Sequence, residues 1–376
     1  MKRNLIIVFL LAFIMSCQQN NKAGLTDSGL NPADFKDEVK GKTTGLYVLK
    51  NSKGMEVCVT NYGGRLVSIM VPDKDNKMRD VLLGFDNVQD YVKYPNNFGA
   101  TIGRYGNRIA NGKFVLDGKE DTLPQNNNGN CLHGGPNGFD TQVFDAKQIN
   151  DHTLVLNYTS KDGEEGFPGT LKVTVKMTVT EDNAVDLQYE ATTDKPTIVN
   201  LTNHSYFNLD GNPARNNYGY TLKVMADNYT PVNPVMITTG KIEPVDNTPM
   251  DFRTPRLLGD VFKEDFEQLV IGKGVDHNWV LNAKGDISIP GAELYSAESG
   301  IKLQVFTTEP GLQIYSGNFL NGSVTGKKGI TYNRRASVCL ESQKYPDTPN
   351  KADWPSCVLR PGETYHSRCI YKFLAD

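Results

Sequence analysis

From about residue 41 to the C-terminus the dominant period of the chain is two. Residues 152–158, 170–179, 184–189 and 301–305 alternate apolar with polar side chains, the pattern of strands with one face buried and the other in water. Turn chemistry separates them. Lys161-Asp162-Gly163, Glu181-Asp182-Asn183 and Leu116-Asp117-Gly118 favour hairpins between antiparallel neighbours. The 3.6-residue stripes that would cover a parallel sheet are missing, and only 260–269 looks helical. No repeat of fixed period and no low-complexity break divides the sequence. The pattern therefore predicts an all-β fold, one large antiparallel β-sandwich domain over residues 41–376.

The N-terminus follows a different logic. Lys2-Arg3 precedes an apolar run from Leu5 to Met15, too short to span a bilayer but right for the core of a secretory signal. It ends in Ile14-Met15-Ser16-Cys17, which resembles a bacterial lipoprotein cleavage box with Cys17 as the lipid acceptor. The alternative is an ordinary signal peptide with an incidental cysteine. Residues 1–16 are thus expected to be a lipoprotein-type signal, and 17–40, polar and poor in aromatics, a flexible tether. Gln18-Gln19-Asn20 carries no acidic run, so the expected location is the periplasmic face of an outer membrane, with the chain exported and lipid-anchored.

Composition narrows the function. With 40 Lys+Arg against 43 Asp+Glu the formal charge is -3, which gives no electrostatic grip on nucleic acid. Beyond Cys17 the cysteines are Cys58, Cys131, Cys339, Cys357 and Cys369. That odd set contains no CxxC, leaves at least one thiol free or paired to another chain, and reads mostly as small buried hydrophobes. His133, His152, His204, His277 and His366 show no metal-ligand spacing, and no nucleophile elbow, phosphate loop or dinucleotide fingerprint occurs. Neither a metal nor a cofactor is expected. What remains is carboxylates, imidazoles and amides, groups suited to protons and sugar hydroxyls.

Long excursions from the strand pattern carry the candidates. One runs from 231 to 259 with prolines at 231, 234, 244, 249 and 255, which stiffen a segment expected to form no regular ladder. Another, 126–136, contains Gly134-Gly135, expected to let backbone approach a ligand closely. In Asn200-Leu-Thr-Asn-His204-Ser-Tyr206-Phe-Asn208 an extended backbone would point His204 and Tyr206 to the same face. By the same rule Glu341 lies opposite Val338 and Leu340, and Gln313 opposite Leu312 and Ile314. Taken singly, each also fits a solvated strand face.

Together these segments resemble the aldose 1-epimerase (galactose mutarotase) family. The matching motifs come in order: Ile102-Gly-Arg-Tyr-Gly-Asn-Arg-Ile-Ala-Asn-Gly112, Leu132-His-Gly-Gly135, Glu164-Glu-Gly-Phe-Pro-Gly169, Asn200 to Leu209, Val275-Asp-His-Asn278, Gly317-Asn-Phe-Leu320 and Cys339-Leu-Glu-Ser-Gln343. The resemblance implies a large antiparallel β-sandwich with a sugar pocket, and interconversion of α- and β-anomers of aldohexoses such as glucose and galactose without a cofactor. It makes His204 the general acid and Glu341 the general base, and puts Asn107, Arg108, His133, Tyr206, Asp276 and Gln313 around the sugar. A histidine with its ordinary pKa near 6.5 suits the acid, and a glutamate raised by burial suits the base. Gly106 stands where the family often has alanine, a departure expected to loosen that loop. His277 is read as a packing residue, and His152 and His366 as structural or exposed. A monomer is expected. Two other classes stay open: a sugar-cleaving sandwich enzyme pairing Glu341 with Asp276, and a lipid-anchored sugar-binding module without catalysis. Within the family a hexose-6-phosphate form would want a basic cluster, for which Arg334-Arg335 is the only adjacent arginine pair after the signal.

Overall fold

Antiparallel pairing dominates the computed structural model, which describes residues 24–375. The largest sheet has nine strands, in the spatial order Asp145–Asn150, Thr153–Ser160, Leu171–Val179, Ala184–Thr193, Tyr365–Ala375, Ile301–Thr307, Ala292–Ser296, Tyr220–Val224 and Arg256–Leu257. All four alternating runs fall in it. Along Leu171–Val179 every second residue from Leu171 is buried while Lys172 and Lys176 are exposed, so one face is core and the other is wet. The expected hairpins form as well. At Asp117-Gly118 both residues have positive φ, 51° and 81°, the conformation of a two-residue type I′ turn joining Lys113–Leu116 to Lys119–Thr122.

A six-stranded sheet has the order Tyr206–Phe207, Val338–Gln343, Gly311–Tyr315, Asp276–Val280, Asn228–Thr230 and Glu243–Pro244. A four-stranded meander holds Leu46–Lys50, Glu56–Thr60, Arg65–Pro72 and Met78–Asp80. One continuous apolar cluster joins the three sheets through residues such as Val57, Ile69, Val175, Leu187, Trp279, Leu312 and Leu340. Tyr371, on the large sheet, donates its hydroxyl across the core to the Leu340 carbonyl at 2.8 Å. This is the sandwich the periodicity predicts.

The face of the six-stranded sheet turned away from that core matters most. Val338 and Leu340 enter the core, whereas Cys339 joins a second apolar cluster on the opposite side, where strand alternation also puts Glu341 and Gln343. The ladder pairs Gln313 with Glu341 and Asp276 with Tyr315. Backbone hydrogen bonding thus sets these polar side chains in adjacent rows about 4.8 Å apart before any side-chain contact is made.

Three expectations change. The signal residues 1–16 and Cys17 lie outside the described residues, but the tether reading extends to residue 40, and from Asp27 onward the chain is docked rather than free. Glu56, fully buried, accepts the N–H groups of Asp27 and Ser28 at 2.9 and 3.1 Å, and Lys50 bridges Asp27 and Glu56. Leu30 and Phe35 are buried in the second apolar cluster, Phe35 closing a 3₁₀ turn Pro32–Phe35 that Asn31 caps. Two apolar side chains that find hollows outweigh a polar average. The helical stretch 260–269 resolves into two short helices, Leu258–Val261 and Glu267–Ile271, with Phe262 and Phe266 turned onto the core between them. The proline-rich excursion does contain ladder, but only as the sheet edges Glu243–Pro244 and Arg256–Leu257, where proline is tolerated.

Candidate active site

The polar face of the six-stranded sheet floors a cavity of about 360 Å³. Asn107, Arg108, His133, His204, Tyr206, Asp276, Gln313 and Glu341, the eight residues singled out from the sequence, all line it.

Glu341 stands in the middle of its strand, 2 % exposed, with Oε2 lacking a partner among the described residues. His204 ends the short strand Thr202–His204, which pairs with Ala100–Ile102. Its ring stacks on Tyr206 with centroids 4.9 Å apart and meets His133 edge-on at 5.1 Å. His204 Nε2 lies 3.6 Å from Glu341 Oε1. An imidazole and a carboxylate therefore face the same space, as the extended-backbone reading requires.

The remaining groups come from loops locked onto one another. Cys131–Leu132 pairs with Arg108–Ile109. The His133 N–H donates to the Asn107 carbonyl at 3.0 Å, and His133 Nδ1 accepts the Asn107 N–H at 3.2 Å. That second bond leaves the imidazole proton on Nε2, so His133 presents a donor. His133, His204 and Glu341 approach within 4.8 Å, close enough for a cation site. A His133 whose proton is on Nε2 has no lone pair there to ligate with, which sets it against that use. Gly134, at φ +84, sits where a Cβ would lie 2.1 Å from the Gly103 carbonyl oxygen. The close approach expected at this glycine is thus made to the chain's own backbone, and it holds His133 in place. At Gly106 a Cβ would come within 3.0 Å of Thr202 Cγ2, so this departure from the family goes with tight packing rather than looseness.

Arg108, 8 % exposed, donates Nε to Asn127 Oδ1 at 3.2 Å, while its two terminal nitrogens have no hydrogen-bond partner among the described residues. Asp276 Oδ1 accepts from Gln313 Nε2 at 2.7 Å. Burial and charge tune the whole set. Burial takes His204 down to about 3 and His133 well below the usual imidazole range. Burial, reinforced by the Asp276 charge and opposed by Arg108, lifts Glu341 well above ordinary carboxylates. Burial also raises Asp276, against the pull of Arg108 and the Gln313 amide. The ordinary imidazole pKa assumed for His204 from sequence does not survive enclosure.

Other cavity residues were not named from the sequence as part of the site: Asn97, Asn127, Asn128, Leu132, Met236, Tyr315 and Phe319. Asn127 and Leu132 lie in the 126–136 excursion and Phe319 in the Gly317 to Leu320 motif, so a signal existed for them. Met236, held at φ 65°, lies in the proline-rich excursion 231–259, which was singled out as a segment but not at this residue. His277 is fully buried away from the cavity, its Nδ1 accepting the Asp276 N–H at 3.2 Å. His152 is exposed, and His366 is 65 % exposed beside Glu190. Arg335 stacks its guanidinium 3.6 Å from the Phe262 ring centroid, outside the cavity, so the arginine pair supplies no phosphate clamp there. Cys58, Cys131, Cys339, Cys357 and Cys369 are all buried and unpaired.

A model of the aldose 1-epimerase family matches residues 45–372. The aldose 1-epimerase of Escherichia coli K12 is 41% identical over 341 residues, 89% of this chain and 97% of that protein. The galactose mutarotase of Mus musculus is 40% identical over 333 residues, 89% of this chain and 95% of that protein. Among solved structures, the GalM/aldose epimerase homologue from C. elegans superposes with a TM-score of 0.82 at 31% identity, covering 88% of this chain and 99% of that one. The galactose 1-epimerase of Lactobacillus acidophilus NCFM gives 0.79 at 28% identity, covering 90% and 96%. Every residue that lines the cavity lies inside the matched region, and the chain belongs to the aldose 1-epimerase family.

Proposed function

We propose that this protein is an aldose 1-epimerase that interconverts the α- and β-anomers of aldohexoses such as glucose and galactose. The observation that carries the reading is the His204–Glu341 pair, 3.6 Å apart in a cavity whose other polar groups suit hydroxyls. Glu341 takes the proton of the C1 hydroxyl while His204 protonates the ring oxygen. The bond between C1 and the ring oxygen breaks, leaving the open aldehyde. After rotation about C1–C2 the pair works in reverse on the other face of the carbonyl. No electron is transferred. Arg108, His133 and Gln313 offer donors, and Asp276 an acceptor, that hold the ring hydroxyls and orient C1. Polarimetry of freshly dissolved α-D-glucose and α-D-galactose tests this: the protein should speed the approach to the same final rotation. Binding without acceleration would favour a sugar-binding module, and release of monosaccharide from an oligosaccharide would favour a glycosidase.

The apolar run before Ser16-Cys17 supports export with lipid attachment at Cys17 and residence on the periplasmic face of an outer membrane. A Cys17→Ala protein recovered in the membrane fraction as fully as the parent would refute the anchor. The eight site residues assemble within a single chain, so the site needs no residue from a second copy, and a monomeric enzyme is the proposed state. A light-scattering mass of two chains would overturn that.

A further inference from the structure

The acid His204 is aimed without a hydrogen bond to fix its ring. Its Nδ1 is buried and has no hydrogen-bond partner in any other described residue, although the second nitrogen is what usually sets the tautomer and direction of a working imidazole. Ring contacts take over that task. Tyr206 stacks on His204 at 4.9 Å and 17°, and Phe98 meets Tyr206 edge-on at 4.8 Å. The His204 carbonyl accepts the Gly99 N–H at 3.0 Å, and Asn203 Nδ2 donates to the Gly99 carbonyl at 2.9 Å. Where residues 96–99 lie therefore sets the direction of the acid.

Those residues belong to no regular element. They connect the helix Val88–Lys93 to the strand Ala100–Ile102, and Arg65 holds them from behind. Its Nη1 donates to Asn96 Oδ1 and to the Phe98 carbonyl, each at 3.0 Å, and its Nη2 to the carbonyls of Asn96 and Asp140 at 3.3 and 2.7 Å. Asp140 lies in the 3₁₀ turn Phe139–Thr141 that follows the His133 loop, so one side chain ties together two irregular segments beside the site. The guanidinium is 1 % exposed, flanked by the Tyr62 and Tyr91 rings at 5.6 and 5.1 Å, and reaches a carboxylate, that of Asp140, only at 3.8 Å. Burying a cation on such terms is costly. Filling four oxygen acceptors from one planar fork is a task that lysine cannot take over. Arg65 does not line the catalytic cavity, so it acts on the reaction only through other residues.

We propose that Arg65 is a positioning residue for the general acid, acting through Phe98 and Tyr206 to aim the His204 ring at the ring oxygen of the sugar. The assignment rests on the mutarotase reading of the cavity. Charge works to the same end: burial is the main force lowering His204, and Arg65 adds to it, so that a protonated His204 is the stronger acid toward a weakly basic ring oxygen.

Arg65→Lys keeps the charge but not the fork, and Phe98→Leu leaves Arg65 in place while removing the ring that meets Tyr206. In NMR magnetisation transfer between the glucose anomers, each should lower kcat about tenfold and leave KM within about threefold, because Arg108, Asp276 and Gln313 still hold the hydroxyls. The discriminating measurement repeats both changes in a His204→Asn background. There each should cost less than about twofold, since an acid that is absent cannot be misaimed. A loss that persists undiminished without His204 would make Arg65 a general structural support and overturn the assignment, as would wild-type kcat in either single variant. Should Arg65→Lys fail to fold, Phe98→Leu decides by the same two criteria. If wild type does not accelerate glucose mutarotation at all, the mutarotase reading fails instead.

Discussion

Burial raises Glu341, the direction that suits a base, but lowers His204, away from what an acid working at neutral pH would choose. His204 falls to about 3 and Glu341 rises, so enclosure favours the uncharged form of each group and draws a proton shared by the pair toward the carboxyl. Ring opening needs that proton on His204, a transfer across the 3.6 Å contact that leaves the proton count unchanged. Activity then belongs to the one-proton form of the pair and is lost when it gains or loses a proton. On the alkaline side the loss reports the raised Glu341. Asp276 raises that group and Arg108 lowers it. Asp276→Asn should therefore shift the alkaline limb of kcat/KM to lower pH and Arg108→Gln to higher pH, and shifts of the opposite sign would refute the one-proton scheme. Glu341→Gln cannot accept the C1 proton, and His204→Asn cannot supply the ring-oxygen proton. Each should slow mutarotation on the order of 10²–10⁴-fold while sugar affinity, measured by calorimetry, stays within about tenfold. The double variant should lose far less than the product of the two, since either loss alone disables the pair.

Elements differ in how they hold the site. The base is carried by a strand with hydrogen-bonded neighbours on both sides, whereas Arg108 and His133 come from two-residue strands and the loops that follow. The N-terminal segment supports this arrangement from behind, because Leu30 and Phe35 share an apolar cluster with Phe98, Tyr206 and Tyr315. Phe35→Ala should cost about 3–5 kcal/mol in urea unfolding; an unchanged midpoint would mean that the segment is not part of the folded unit. Sequence made the large sheet legible because one of its faces is wet and the residues alternate. The central strands of the smaller sheet are buried on both faces, as in Gly311–Tyr315 and Val338–Gln343, so alternation gave the direction of Gln313 and Glu341 but not their burial, and each taken singly read equally as a solvated strand face. The family motifs contain seven of the eight cavity residues named from the sequence, and Gln313 lies in the alternating segment Gly311–Tyr315. Met236 and Tyr315 escaped because their place in the wall depends on how separate segments meet. The docking of Leu30 and Phe35 escaped because composition averages over the few side chains that find a hollow.

At the scale of the molecule, the five described cysteines are inert by enclosure. Burial pushes Cys58, Cys131, Cys357 and Cys369 up to about 12 and Cys339 well above the usual thiol, so almost no thiolate exists at neutral pH. In a mature chain carrying Cys17→Ala, a thiol reagent should find none of these groups in the native protein and all five in denaturant. Rapid native labelling would contradict the packing. The docking of Asp27 and Ser28 on Glu56 also sets a length. If lipid is attached at Cys17, the length of chain between anchor and globule ends near residue 27 rather than 40. A fully extended chain of that length reaches about 35 Å, against about 80 Å for the longer tether. Neutron reflectometry of the lipidated protein on a supported bilayer should find the near surface of the domain inside the shorter distance. The enzyme would then work on a short leash, sampling sugars in the first protein-thick layer above the lipid rather than in the bulk of the compartment.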